Sequence, residues 1–190
     1  MQDDPMAGGI DEIRDRMAIQ DVILKYARAI DRKDWGAVRA AFHEGATDDH
    51  GEYQGGIDGM IEWIARRHAA IHQSMHFIGN SLVEWLPGRR ALVETYYQAH
   101  FTLDGEAREA RALWLDGQAG GGANLIVLGR YIDVFAARPD WRVAERTNVY
   151  ESVLAPQQPP SGRNPANHWS TRDRHDMYFK IRRDLLPDAP

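Results

Sequence analysis

Two hydrophobic periods divide the chain. Up to about residue 71 the apolar positions recur every three to four residues, as on the buried face of a helix. A first helix starts near Ile10 and carries Ile19, Val22, Ile23, Tyr26, Ala27 and Ile30 inward. Leu24, Ala27 and Asp31 form a stripe beside that face. "DWGAVRAAF" predicts a short second helix, with Asp34 as N-cap and Trp35, Val38 and Phe42 inward. "GATDDHGEYQGG" is turn-rich and has room for one short strand. A third helix is expected from Ile57 to Ile71, with Met60, Ile61 and Ile64 as its apolar face.

The period then changes from 3.6 to 2. "HFIGNSLVEWL" runs to a turn at Pro87-Gly88, and "ALVETYYQAHFTL" runs to Asp104-Gly105. "REARALWLD" precedes the glycine run 120–122; "NLIVLGRYIDVF" and "WRVAERTNVYESVL" close the series. Strands joined by short turns predict an antiparallel meander, and helices followed by a sheet predict an α+β domain spanning 1–155. From Pro156 the chain is rich in proline and polar residues. Residues 156–190 are therefore expected to form an extended C-terminal arm, with a turn of helix near "MYFKIRRD" and docking through Trp169, Tyr178, Phe179 and Ile181.

Composition narrows the classes of partner. The 190 residues carry a net charge of −5, which argues against nucleic acid or an anionic membrane surface as partner. No apolar run approaches a membrane span, and the acidic start "MQDDPMAGGIDEIRD" lacks the basic-then-apolar order of a signal peptide. There is no cysteine, so thiolate metal sites, disulfides and cysteine nucleophiles are excluded. A cytoplasmic location fits that composition.

Candidate chemistry begins with "RRHAAIHQSMHFIGN", in which His68, His72 and His76 are four residues apart. On one helix they would share a face and could hold a metal. The change of period places His76 at the start of a strand, so no three-histidine metal site is expected, and His68 and His72 read as bystanders at the rim of a pocket. Asp31 has two open roles. It either caps the turn before Asp34 or faces a cavity and meets a cation or an imidazole. Strand parity groups His76, Ile78, Asn80 and Leu82 on one face. It groups Glu94, Tyr96, Gln98, His100 and Thr102 on another, and Arg146, Asn148 and Tyr150 on a third. Such polar rows are either the solvent face of a half-buried sheet or the interior of a curled one.

Three blocks, "IQDVILKYARAIDRKDWGAVRAAF", "MHFIGNSLVEW" and "GRYIDVFAARPDWRVAERTNVYES", resemble the SnoaL-like branch of the NTF2-like superfamily over about residues 10–153. The resemblance implies a cystatin/NTF2-like cone: a curved, antiparallel-rich sheet around a pocket closed by N-terminal helices. Dehydratase and dehydrochlorinase members share an aspartate at the end of helix one and a histidine on the long strand, matched here by Asp31 and His76. Tyr26 and Arg146 match further catalytic positions, and His100 matches a second histidine. Tyr53, Tyr96 and Asn148 complete the expected substrate wall.

The implied activity is a cofactor-independent lyase that acts on a small hydrophobic or aromatic substrate. Asp31 would orient His76, whose imidazole removes a proton, and water, halide or formaldehyde would leave. The alternatives are an isomerase or polyketide cyclase, and a noncatalytic subunit resembling the small subunit of ring-hydroxylating dioxygenases. No metal or cofactor is implied, and a homotrimer or homodimer is expected.

Overall fold

The computed structural model describes residues 9–103, 123–156 and 171–185. Helix α1 (Ile10–Asp31) is followed by α2 (Trp35–Ala40), strands β1 (Phe42–Asp49) and β2 (Gln54–Gly56), and α3 (Ile57–His68). The long strands are β3 (Ile71–Leu86), β4 (Arg90–Leu103), β5 (Ala123–Ala137) and β6 (Trp141–Leu154). Helix α4 (Met177–Leu185) falls on the segment expected to be helical in the arm. The expected strand "REARALWLD" lies outside the described residues.

Among the described residues the sheet order is β2-β1-β6-β5-β4-β3. Three expectations need correcting. The turn-rich stretch supplies two strands rather than one, pairing antiparallel through Thr47–Gly56 and Asp49–Gln54. Strand β1 then runs parallel to β6, so the sheet is mixed rather than a pure meander. Strand β3 begins at Ile71 rather than His76, so α3 ends three residues short of the expected Ile71 and His72 is a strand residue.

The curvature has a local cause. Ile78 pairs with Tyr97 and Ser81 with Thr95, so β3 spends an extra residue in a bulge. A bulge bends the strand and reverses which parity points inward. Before it, His76 and Ile78 share the inner face with Ala99 and Tyr97; after it, Ser81 and Val83 face inward and Leu82 is exposed. The expected face of His76, Ile78, Asn80 and Leu82 is therefore split after Ile78. At Gly88 the β3–β4 turn takes a φ of 78°, where a side chain would be strained.

Helix α1 lies across the concave face. Ile19, Ile23, Tyr26 and Ile30 are buried against Phe42, Val93, Phe101, Val127 and Phe135 in one core. Two indole hydrogen bonds fix the helix at the other end of the sheet: Trp85 Nε1 donates to Glu12 (3.0 Å) and Trp141 Nε1 to Asp15 (2.6 Å). These contacts bring Asp31, the last residue of α1, to the mouth of the cone.

Candidate active site

The cone encloses a small pocket with a cavity volume of about 60 Å³. Helix α1 contributes Tyr26 and Ile30, the segment after β1 contributes His50, and α3 contributes Trp63, Ile64 and His68. The sheet contributes His76, Tyr97, Phe101, Tyr131, Asn148 and Tyr150. Most of this wall is aromatic. Tyr97 stacks on Tyr131 with centroids 4.4 Å apart, and Tyr26 meets Tyr131 edge-on.

Asp31 and His76 are brought together at the pocket. Among the described residues strand β3 lies at the edge of the sheet, with one row of its N–H groups facing no other strand. The Asp31 carboxylate meets that row. The His76 backbone N–H donates to Oδ2 (2.9 Å), and the His76 Nδ1 (2.7 Å) and Ser74 hydroxyl (2.7 Å) both bond Oδ1. Asp31 is thus tied to the sheet and does not cap the following turn; Asp34 does that, accepting from the Ala37 N–H. Burial pushes the Asp31 carboxyl upward, but its bonds to His76 and Ser74 outweigh burial and hold it below the usual aspartate value. A carboxylate accepts only, so Nδ1 of His76 carries a proton and, in the neutral ring, Nε2 carries the lone pair. Ser74, two residues before His76 on the same face, is a partner that the sequence reading missed.

Tyr26 lines the same pocket. Burial first, with Arg146 opposing and Asp48 reinforcing it, pushes its phenol up to about 12, so it stays protonated at neutral pH. Asn148 also faces the pocket, where its Oδ1 accepts from the Tyr97 hydroxyl (2.9 Å). Gly129 makes that bond possible: a Cβ there would lie 2.6 Å from the Tyr97 hydroxyl.

Arg146 sits behind the wall. Its guanidinium is buried, donates to both oxygens of Asp133 at 2.7 Å, and lies between the rings of Tyr26 (4.2 Å) and Tyr131 (4.1 Å). It organises the aromatic wall from within the core. Three expected substrate contacts lie elsewhere. Tyr96 and His100 occupy the outer face of β4, because His76 pairs with Ala99 and cross-strand partners share a face. Tyr53 donates to the Gly56 carbonyl (2.6 Å), packs against Trp63 and does not line the cavity.

Two further histidines line the site: His50, which was not expected there, and His68, expected only as a bystander at the pocket's rim. His50 is buried, rests against Trp63 and is paired through Nδ1 with the buried Asp48 carboxylate. Asp-x-His on an extended segment puts both side chains on one face, a signal present in "DDHGE" but obscured by its turn-like composition. His68, taken as a bystander, is 7% exposed and faces the cavity, whereas His72 is exposed. His68 Nδ1 lies 2.8 Å from the guanidinium of Arg172, which comes from the C-terminal segment. Burial first, then the charge of Arg172, lower the His68 pKa well below its ordinary value. Among the described residues no cluster of three or more His, Asp or Glu is arranged to hold a metal ion.

A cone-shaped α+β fold around an aromatic pocket, with a buried Asp–His pair at its mouth, defines a class of small-molecule-binding proteins. Residues 11–147 match the SnoaL-like domain family, and the chain belongs to it. No curated protein matches it in sequence. Among solved structures it is similar to hexachlorocyclohexane dehydrochlorinase LinA-type3 from Novosphingobium barchaimii (14% identity, 80% of this chain and 99% of that one, TM-score 0.64). It is also similar to a candidate scytalone dehydratase from Novosphingobium aromaticivorans (14%, 80% and 97%, TM-score 0.62). A candidate aromatic ring hydroxylase from the same organism aligns at 25% identity over 76% of this chain and 94% of its own, with a TM-score of 0.60. No helix among the described residues is long and apolar enough to cross a membrane.

Proposed function

We propose that this protein is a cofactor-independent lyase that eliminates a leaving group from a small hydrophobic or aromatic substrate. The observation that carries this reading is the Asp31–His76 pair, which presents a basic imidazole nitrogen beside an aromatic pocket. His76 Nε2 takes a proton from substrate carbon, and the C–H electrons form the new double bond. The leaving group departs with its bonding pair; when it is hydroxide, the His76 imidazolium returns the proton and water is released. Asp31 balances the imidazolium while it exists. Its carboxylate is held by three hydrogen bonds before substrate arrives, so little reorganisation is needed.

The names of two structural relatives, a dehydrochlorinase and a candidate dehydratase, agree with elimination chemistry, but by analogy of fold alone. The test is a screen of β-hydroxy ketones, aromatic diols and alkyl halides, read by NMR in D₂O, with His76→Ala as the blank. Elimination, or deuterium uptake at the carbon that loses its proton, that disappears in His76→Ala supports the reading. Turnover that survives in His76→Ala overturns it, and a chain inert to all three classes favours the noncatalytic subunit.

A further inference from the structure

We propose that Arg172 of the C-terminal segment locks His68 as an Nε2–H donor facing His76, so that the pocket is built for a substrate whose acidic carbon lies beside a carbonyl. This rests on the lyase reading and narrows its substrate class.

Arginine has only donors, so the 2.8 Å contact from the Arg172 guanidinium requires His68 Nδ1 to be the acceptor. A neutral imidazole carries one N–H, so that proton must be on Nε2. Protonation of both nitrogens would place an N–H against a guanidinium. Arg172 is itself held in place: it donates to the carbonyls of Asp31 (3.0 Å), Ile71 (2.7 Å), Ile30 (3.2 Å) and His68 (3.4 Å). Burial lowers it to about 10, which leaves it charged at neutral pH. His68 Nε2 is bonded to no described residue, and its ring lines the cavity.

The two imidazoles are complementary. Both lie against Phe101, at centroid distances of 5.6 Å for His68 and 5.8 Å for His76. Asp31 fixes His76 with a lone pair on Nε2; Arg172 fixes His68 with a proton there. A carbonyl compound uses both. His76 removes the α-proton, the C–H pair becomes the enolate double bond, and the negative charge moves to the carbonyl oxygen, where the His68 N–H receives it. Collapse of the enolate expels the β-substituent with its electron pair, and His76 returns its proton to a departing hydroxide. Nothing else is consumed. An alkyl halide without a carbonyl leaves His68 unused.

The experiment is long-range ¹⁵N–¹H correlation on histidine-labelled protein at neutral pH, with the His68 signals assigned by His68→Gln. His68 is expected as the Nε2–H tautomer and His76 as Nδ1–H. Arg172→Met should release the His68 lock into a mixture of tautomers, and Arg172→Lys, which keeps a donor, should restore it. Acetophenone should shift the His68 Nε2–H proton downfield, whereas α-methylstyrene, with =CH₂ in place of =O, should not. Should Arg172→Met fail to fold, the wild-type tautomer and the ketone titration still decide the matter. A His68 that carries its proton on Nδ1, or a ketone that moves Nε2–H no further than the hydrocarbon, overturns the proposal. Those outcomes would leave the Asp31–His76 base intact. Loss of the lyase reading, seen in the His76→Ala screen, would leave the tautomer lock intact, so the two failures are distinguishable.

Discussion

Strand β4 carries two rows of side chains, and they have opposite fates. Tyr97, Ala99 and Phe101 point into the cone and are buried; Tyr96, Gln98 and His100 point outward and are half-buried or exposed. The outward row has more polar groups, yet the pocket is on the inward side. A pocket in a curved sheet is dug out of the hydrophobic core, so apolar side chains frame its wall and part of its polar groups is inserted from other elements. Asp31 enters from a helix end, His50 from a loop and Arg172 from the C-terminal segment. His76, Asn148, Tyr97, Tyr131 and Tyr150 come from the sheet itself, and Tyr26 from helix α1.

The largest effect expected from breaking this contrast is at the inward imidazole. His76→Ala should lower the elimination rate by roughly 10²–10⁴-fold, measured as kcat/KM, because it removes the general base of the proposed step. Asp31→Asn should be of similar severity, since an amide can donate to Nδ1 and reverse the tautomer. Neither should unfold the protein in a chemical denaturation experiment. Wild-type rates in both variants would dissolve the contrast between the two rows.

Next in size is the ion pair behind the wall. Asp133→Ala leaves the Arg146 guanidinium buried without its carboxylate, a change that costs about 3–5 kcal/mol in buried pairs. Urea unfolding should report it as a lower midpoint. Replacing both residues with apolar groups of similar size should recover much of the loss. If Asp133→Ala proved neutral, Arg146 would have to be solvated through the pocket, contrary to its place between Tyr26 and Tyr131.

A smaller effect depends on pH. Asp31 titrates below its ordinary value in the folded chain, so the stabilisation is fully present above the unfolded-state pKa of about 3.9. It is lost as the pH falls through the lower folded pKa. The stability gap between wild type and Asp31→Asn should therefore be widest near neutrality and close on acidification below about pH 4. A gap that widened in acid would mean that Asp31 is held protonated.

Much of this was legible in the sequence, for identifiable reasons. The helix-then-strand change of period gave the α+β class, and the family-like blocks gave Asp31 and His76 as partners 45 residues apart. What was not legible depended on register. The bulge at Ile78–Ser81 redirects alternate residues without leaving a mark in the hydrophobic alternation. The face shared by Tyr96 and His100 could be assigned only once His76 was known to pair with Ala99. His68 belongs to the site because Arg172 reaches it from 104 residues away. Its burial follows from tertiary packing that no local pattern encodes.

The smallest effect is expected on the outward row of β4. His100→Ala and Tyr96→Phe remove the groups that a polar-row reading would choose, from a face that the structure turns away from the pocket. His100 is matched by Ile126 across the β4–β5 ladder, and Tyr96 rests near Arg130, which is itself paired with Glu94 and Glu151. Neither side chain touches the cavity. Substitutions of this kind usually stay within about 0.5 kcal/mol in stability, and the elimination rate should be unchanged. The two assays together decide the matter. A loss of rate with no loss of stability at His100 would require the outer face to take part in chemistry, and the inward row would no longer be sufficient. A loss of both would mean that the outer face is buried in an assembly, and the loss should then grow as the protein is diluted.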